Sequence, residues 1–585
     1  MTERQYRVAY YENGKKTEKL VKYTGRAFSV CTEGHGLTSA CLKIYDDDGF
    51  VAEAAGVKNG ETHVFVFPEL ERGCYRFHIE AASSAGQFTS EPQRMLVVNN
   101  IYNTITPPNG IIYQIFPDRF AKGGTVPVRR DVVINDDWYG EITQYPENPG
   151  DYVENNEFFG GTLYGITAKL DYLSGMSCKW IYLNPIFTAY SNHKYDTGDF
   201  LSTDAMFGGE AALERLIAEC HNRGMKLILD GVFNHVGRDS VYFDYKGINA
   251  GAYHNLNSPY REWFDIRDDG GYDCWWGITN LPKIKKTKSY RRFICDTVIP
   301  KYMKMGIDGW RLDVVDEYDN AFLEEITASA KRIDPNAVII GEVWDDVTDK
   351  VAYSERKSYF YGAALDSATN YPLRDALIKY IKSGDAVYLK EELDNQINHY
   401  PEEKLDCMMN ILGTHDTERI LTVLGGDDNG NKTGKELADL RLTPQQREKG
   451  KKLLMAAYAL LACLPGIPAV YYGDEAGLEG GRDPFNRKPF PWGREDGELV
   501  GYYRKINAIR ANSQTLIKGK TKILQWNDGF FAFERECGSD ICGGKIFCVC
   551  NMSANHVYYT DGSYIPLNLR DNKVYPGETG IYGVC

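Results

Sequence analysis

Residues 226–235 read KLILDGVFNH, a short apolar run that ends in Asp230 and, a few residues on, Asn234 and His235. A run of this length closed by polar residues reads as a strand buried on both faces, as in parallel sheets. The same plan recurs on either side of it. Before it come IIYQIF (111–116) and KWIYLNP (179–185). After it come IDGWRLDVV (307–315), AVIIGEVW (337–344), YGAALD (361–366), CMMNILGTHD (407–416) and AVYYG (469–473). Helix-length segments lie between these runs, near 165–173, 210–223, 290–305 and 321–332, with a long one ending LLMAAYALLACLPG (453–466). Eight apolar runs alternating with helices predict a (β/α)8 barrel, an α/β fold, rather than an open doubly wound sheet. No G-x-G-x-x-G or phosphate loop follows an early strand, so nucleotide binding has no support.

Outward from the barrel the pattern changes. Residues 1–105 carry alternating strands (YRVAYYENGKK, HVFVFPEL, YRFHIEAA, RMLVVNN) with a hairpin signal at Glu12-Asn13-Gly14 and no helical period, and they predict a β-sandwich module. Thr106, Pro107 and Pro108 mark its boundary. The barrel then spans 106–512, with 235–283 as an insertion after the third strand, rich in Tyr, Trp and Asp. Short strands return over 513–585 as a C-terminal all-β domain, read as a second sandwich.

The 585 residues carry a net charge of −14, which argues against a nucleic-acid or anionic-membrane partner. No run of about 18 apolar residues predicts a membrane span. The polar N-terminal segment and fourteen cysteines without disulfide or zinc spacing predict free thiols and a cytoplasmic location. Aromatic residues make up 13% and read first as core.

In a barrel of this type, chemistry sits at the C-terminal ends of the strands. Those ends hold Asp230, Asn234 and His235, then Arg311 and Asp313, then Glu342, then His415 and Asp416. Any one of them alone reads as a loop cap or surface charge; together at one mouth they read as a site. Two carboxylates without a cysteine nucleophile or phosphate loop fit glycoside hydrolysis, in which one attacks the anomeric carbon and the other protonates the leaving oxygen. Arg311 lies on the same strand face as Asp313 and is expected to keep it charged, so Asp313 reads as the nucleophile. Glu342, set among apolar residues, reads as the acid/base.

The segments DGVFNH (230–235), GWRLDVVDE (309–317), GEVWD (341–345) and GTHDTER (413–419) resemble the α-amylase superfamily of retaining glycoside hydrolases. Within it they resemble the neopullulanase, cyclomaltodextrinase and maltogenic amylase group. YQIFPDRF (113–120), FFGGTLYGITAKLDYL (158–173), HKYDTGDF (193–200) and the stretch 466–492 match in the same order. The resemblance implies Asp313 as nucleophile, Glu342 as acid/base and Asp416 as the third carboxylate, stabilising the transition state. It implies His235 and His415 hydrogen-bonding the sugar, Arg311 orienting Asp313, Tyr195 stacking under the same ring and His193 lining that site. Asp230 and Asp196 are expected as structural anchors. No cofactor is required. Calcium is left undecided, because Asp316-Glu317 stands where many relatives have Lys-His and Asn234 alone makes a poor calcium site. WWGITNLP (275–282) departs from the group and leaves bond and chain-length preference open. The resemblance further implies that the N-terminal module forms a homodimer or lends a wall to the cleft.

The expected activity is hydrolysis of α-1,4 bonds in maltooligosaccharides, starch, cyclodextrin or pullulan. The alternatives are an α-1,6-acting debranching enzyme or oligosaccharide α-glucosidase, and a non-catalytic glucan-binding relative. The three intact carboxylates speak against the last.

Overall fold

The computed structural model describes residues 7–33, 37–84, 86–99, 105–148, 150–538, 544–560 and 562–584. Eight parallel strands form the central sheet: β1 (Ile111–Ile115), β2 (Cys178–Leu183), β3 (Lys226–Gly231), β4 (Gly309–Leu312), β5 (Val338–Gly341), β6 (Ser367–Ala368), β7 (Met409–Ile411) and β8 (Ile467–Tyr471). Their order is β6-β5-β4-β3-β2-β1-β8-β7, and a parallel bridge between Thr369 and Met409 joins the two ends into a ring. The barrel predicted from the alternation is therefore present. The sixth strand is a correction in position: it begins after YGAALD, at Ser367. Ala364 and Leu365 are buried in the layer between strands and helices, and Asp366 anchors the turn by accepting from the Ile339 amide and pairing with Lys331 at 2.8 Å.

Strand parity explains what fills the ring. Leu227, Leu229, Trp310, Leu312 and Ile339 pack outward with the helices, while Ile228, Val338, Ile340, Met409, Ile411, Ile467 and Ala469 form a separate inner cluster. Side chains alternate along a strand, so Asp230 follows Ile228 inward, Arg311 and Asp313 follow Gly309, and Glu342 follows Ile340. Gly309 is required by proximity: a Cβ there would lie 2.1 Å from the Val338 carbonyl oxygen, so β4 could not approach β5. The helices are closed by their own signals. Asp319 caps Asn320–Ile333 by accepting from Phe322, and Thr443 with Gln446 forms a capping box for Pro444–Cys463.

The insertion after β3 is mostly irregular. Tyr242, Phe243, Tyr253, Trp263, Phe264 and Tyr272 pack on one another within it, so most of its aromatics are core, as the plain reading had it. Its returning end lies against its start through a bridge between His235 and Lys283. The N-terminal module is two sheets, of five and six strands, around Phe28, Leu42, Ile44, Phe65, Phe77 and Met95. Asn13 and Gly14, both at positive φ, turn its first hairpin. The C-terminal domain is a five-stranded antiparallel sheet with a separate two-stranded pair. All twelve cysteines among the described residues are unpaired; Cys542 and Cys585 lie outside them.

Candidate active site

Asp230, Arg311, Asp313, Glu342, His235 and His415 all meet at the C-terminal mouth of the barrel, each between 1% and 6% exposed. Arg311 organises the carboxylates. Its Nη1 donates to Asp230 Oδ1 at 3.0 Å and to Asp313 Oδ1 at 2.8 Å, and its Nη2 lies 3.1 Å from Glu342 Oε2. One guanidinium is thus shared by three buried carboxylates. Arg311 pairs with Asp313 and draws its carboxyl down, but it is not the largest influence on that group. Burial, and then the negative charge of Glu342, push the Asp313 carboxyl well above the usual carboxylate range, against the pull of Arg311.

Glu342 is fixed on both oxygens. Trp344 Nε1 donates to Oε1 at 3.0 Å, and the backbone N–H of Val314 donates to Oε2 at 2.9 Å. Val314 presents that N–H from a left-handed conformation (φ 41°), which is an outlier for a β-branched residue and stores on the order of 1–3 kcal/mol of strain. Trp344 is 48% exposed and its ring stacks on Tyr371 at 3.7 Å.

Asp416 follows β7, and its Oδ2 lies 3.1 Å from His415 Nε2. Its side chain is 32% exposed at the cleft; partial desolvation there and then the Glu342 charge push its carboxyl up to about 7, against Arg487 and Arg311. Arg487 comes from a short turn after β8. Its Nε donates to the His415 carbonyl at 3.0 Å, and its Nη2 is 3.7 Å from Asp416.

The remaining residues form one hydrogen-bonded chain. Gln114 Nε2 faces His415 Nδ1 at 2.9 Å, which assigns the imidazole proton to Nε2, toward the Tyr195 hydroxyl. The Tyr195 hydroxyl donates to Asp230 Oδ2 at 2.9 Å and accepts from Asn184 Nδ2 at 2.9 Å. The Tyr195 and His415 rings lie 6° from parallel with centroids 5.1 Å apart. His193 accepts the Tyr195 N–H through Nδ1 at 3.1 Å. Burial first, then neighbouring arginines, push His193 and His415 well below the usual histidine value, so both are neutral hydrogen-bonding rings. Asp230 and Asp196 are anchors as expected: Asp196 accepts from the Ser191 amide at 3.1 Å.

His235 sits apart. Its ring lies under Trp275 (5.1 Å), which in turn stacks on Trp276 (5.3 Å), and its Nε2 has no partner. Burial and the charges of Lys286 and Lys283 push it down to about 3. Trp276 is 80% exposed at φ 50°.

The calcium question turns on the oxygens near β3 and β4. Asn234 Oδ1 accepts from Lys286 Nζ, Glu317 pairs with Lys283 at 2.6 Å, and Asp316 pairs with Lys350 at 3.1 Å. Calcium needs six to eight oxygens, and these are committed to ammonium groups; the residues present do not fit it. Among the described residues no group of three or more His, Cys, Asp or Glu is placed to hold a metal ion.

The site's strand-end residues were legible in advance; Arg487, Gln114, Val314 and the indole N–H of Trp344 were not. Arg487 lies in a segment, GRDPFNRKPFPW, whose match to the family was visible without a role for that residue.

Comparison with known proteins places this geometry. An amylopullulanase of Thermoanaerobacter thermohydrosulfuricus is 37% identical over 499 residues, covering 74% of this chain and 32% of the relative. The chain spans a quarter to just over a third of the length of the amylopullulanases it matches. A cyclomaltodextrinase of a Bacillus species is 32% identical over 460 residues, covering 75% of this chain and 74% of the relative. Among solved structures, the type III pullulan hydrolase from Thermococcus kodakarensis superposes with a TM-score of 0.69 at 25% identity, over 96% of this chain and 98% of that one. The family model described as "Alpha amylase, catalytic domain" matches residues 114–516. With Asp313, Glu342 and Asp416 inside that match, the chain belongs to the alpha-amylase family.

Proposed function

We propose that the chain is a retaining α-glucan hydrolase that cleaves α-1,4-glucosidic bonds of maltooligosaccharides, starch, cyclodextrin or pullulan by double displacement. Asp313 attacks the anomeric carbon, Glu342 protonates the leaving oxygen and then activates water, and Asp416 stabilises the cationic transition state. The observation that carries this reading is the shared guanidinium: Asp313 and Glu342 both touch Arg311. That suits the carboxyl separation of about 5–5.5 Å used by retaining enzymes better than the wider gap of inverting ones. Tyr195, His193 and His415 supply a flat face and neutral hydrogen-bonding groups for the reacting sugar, with Arg311 orienting Asp313 and His235 bonding a hydroxyl. The reaction needs no cofactor.

A second reading, action on α-1,6 bonds, is favoured by relatives named amylopullulanase and by the departure at 275–282. Side-by-side product analysis on starch, pullulan and β-cyclodextrin separates the two: panose from pullulan marks α-1,4 cleavage and maltotriose marks α-1,6. An Asp313→Asn protein that released reducing sugar at the wild-type rate would overturn both.

The unpaired cysteines support a reducing, cytoplasmic setting. The N-terminal module is the proposed contact in a homodimer, supported by the exposed Phe50, Val57 and Val66 on its strands. Sedimentation of the whole chain at monomer mass would count against it.

A further inference from the structure

We propose that Lys286 is a positioning residue: its side-chain amine, seated on Asn234, ties the returning end of the insertion to the end of β3 and so holds His235 in place. Burial and then the Lys283 charge push Lys286 down to about 7, so the tie is a hydrogen bond to Asn234 rather than a fixed charge.

Four observations carry the inference. Lys286 Nζ donates to Asn234 Oδ1 and lies over the Tyr318 ring at 5.8 Å, while its carbonyl accepts from Arg291 Nε at 2.9 Å, so both ends of the residue are fixed. The backbone joins the same two segments, with Ile284 N donating to the Asn234 carbonyl at 2.9 Å and Val236 N to the Pro282 carbonyl at 3.2 Å. His235 lies between these bonds, buried, with Nδ1 3.5 Å from the Asn234 amide nitrogen, so its placement depends on how the two segments are tied. Finally, the nearby acids are neutralised in the same way, Glu317 by Lys283 and Asp316 by Lys350, so three lysines hold the oxygens a divalent cation would need. A cation added there would meet like charge and occupied lone pairs.

The test has two arms. The first uses the unaltered protein and needs no turnover. Its Tm is expected to move by no more than about 1 °C between a chelator and about 5 mM calcium, whereas a resident calcium site would raise it by several degrees; such a rise overturns the inference. The second arm rests on the proposed hydrolase activity. Lys286→Met is expected to lower kcat on maltotriose on the order of 10- to 100-fold with KM within about threefold, because His235 loses its placement at the reacting ring. Lys286→Arg, which keeps an N–H donor for Asn234 Oδ1, is expected to recover most of that loss. Wild-type kinetics in Lys286→Met, or equal losses in both variants, overturn the positioning role. If the wild-type chain turns over no α-glucan, the proposed function fails while the Tm arm still judges Lys286.

Discussion

The indole N–H of Trp344 donates to Glu342 Oε1 at 3.0 Å, from two residues further along the same strand end. The ring itself is held by its stack on Tyr371. Phenylalanine would keep the stack and lose the bond. A hydrogen bond to a charged partner contributes about 1.5–3 kcal/mol, so Trp344→Phe should lower kcat about 10- to 100-fold. Steady-state kinetics on maltotriose measures this, and an unchanged kcat would show that the Val314 amide alone positions Glu342.

Arg311 reaches Asp313 and Glu342 through different nitrogens. A lysine is a single point charge and cannot fork between them. Arg311→Lys should therefore lose on the order of 100-fold or more in kcat/KM through misplacement of one carboxylate. Arg311→Met, which leaves buried acids with no cation, should destabilise by about 3–5 kcal/mol. Urea denaturation compared with kinetics separates the two effects.

Asp416 carries a carboxyl raised to about 7. A raised carboxyl binds protons more tightly in the folded chain than in the unfolded one. Its contribution to stability is thus present at low pH and lost as pH climbs from the unfolded value near 4 through 7. Asp416→Asn removes that loss. The variant should match or fall below the wild-type Tm at pH 4–5 and exceed it at pH 8 by an amount that solvent screening keeps to about 1–2 °C, while its turnover collapses. A Tm difference that does not change with pH would refute the placement of the charge.

Arg94 of the N-terminal module reaches Asp346 at 2.9 Å and Asn395 at 2.7 Å. Burial pushes the Asp346 carboxyl up, but Arg94 and the hydrogen bonds from Asn395 and Thr348 bring it below its usual value. Asp346 lies two residues beyond Trp344, so the module braces the loop that carries the cleft's exposed indole. Arg94→Ala should speed hydrogen–deuterium exchange across 345–349 and raise KM about two- to fivefold with little change in kcat. Unaltered exchange there would mean the module is a passive neighbour.

Much of the site was legible because period-two alternation and burial on both faces are local properties. Ile228 to Asp230, and Gly309 to Arg311 to Asp313, can be followed without knowing where the chain goes next. β6 was displaced because Ser367-Ala368 is too short and weakly apolar to announce a strand, while Ala364 and Leu365 before it are apolar for a different reason, packing under the helices. Gln114, Arg487 and Lys286 reach the site only when the ring closes and the insertion folds back; their partners lie 301, 72 and 52 positions away. The sharing of Arg311 among three acids is likewise a property of the assembled mouth. Sequence adjacency pointed to one ion pair, and the geometry made it a cluster.

The ring of eight strands is fastened between β6 and β7 by one bridge, Thr369 to Met409, reinforced by the side-chain amides of Asn370, Asn410 and Gln396. Asp313 and Glu342 stand on one side of that seam and Asp416 on the other. The barrel is therefore a clasped band rather than a seamless cylinder, with its two strictly spaced acids on one leaf and the third on the other.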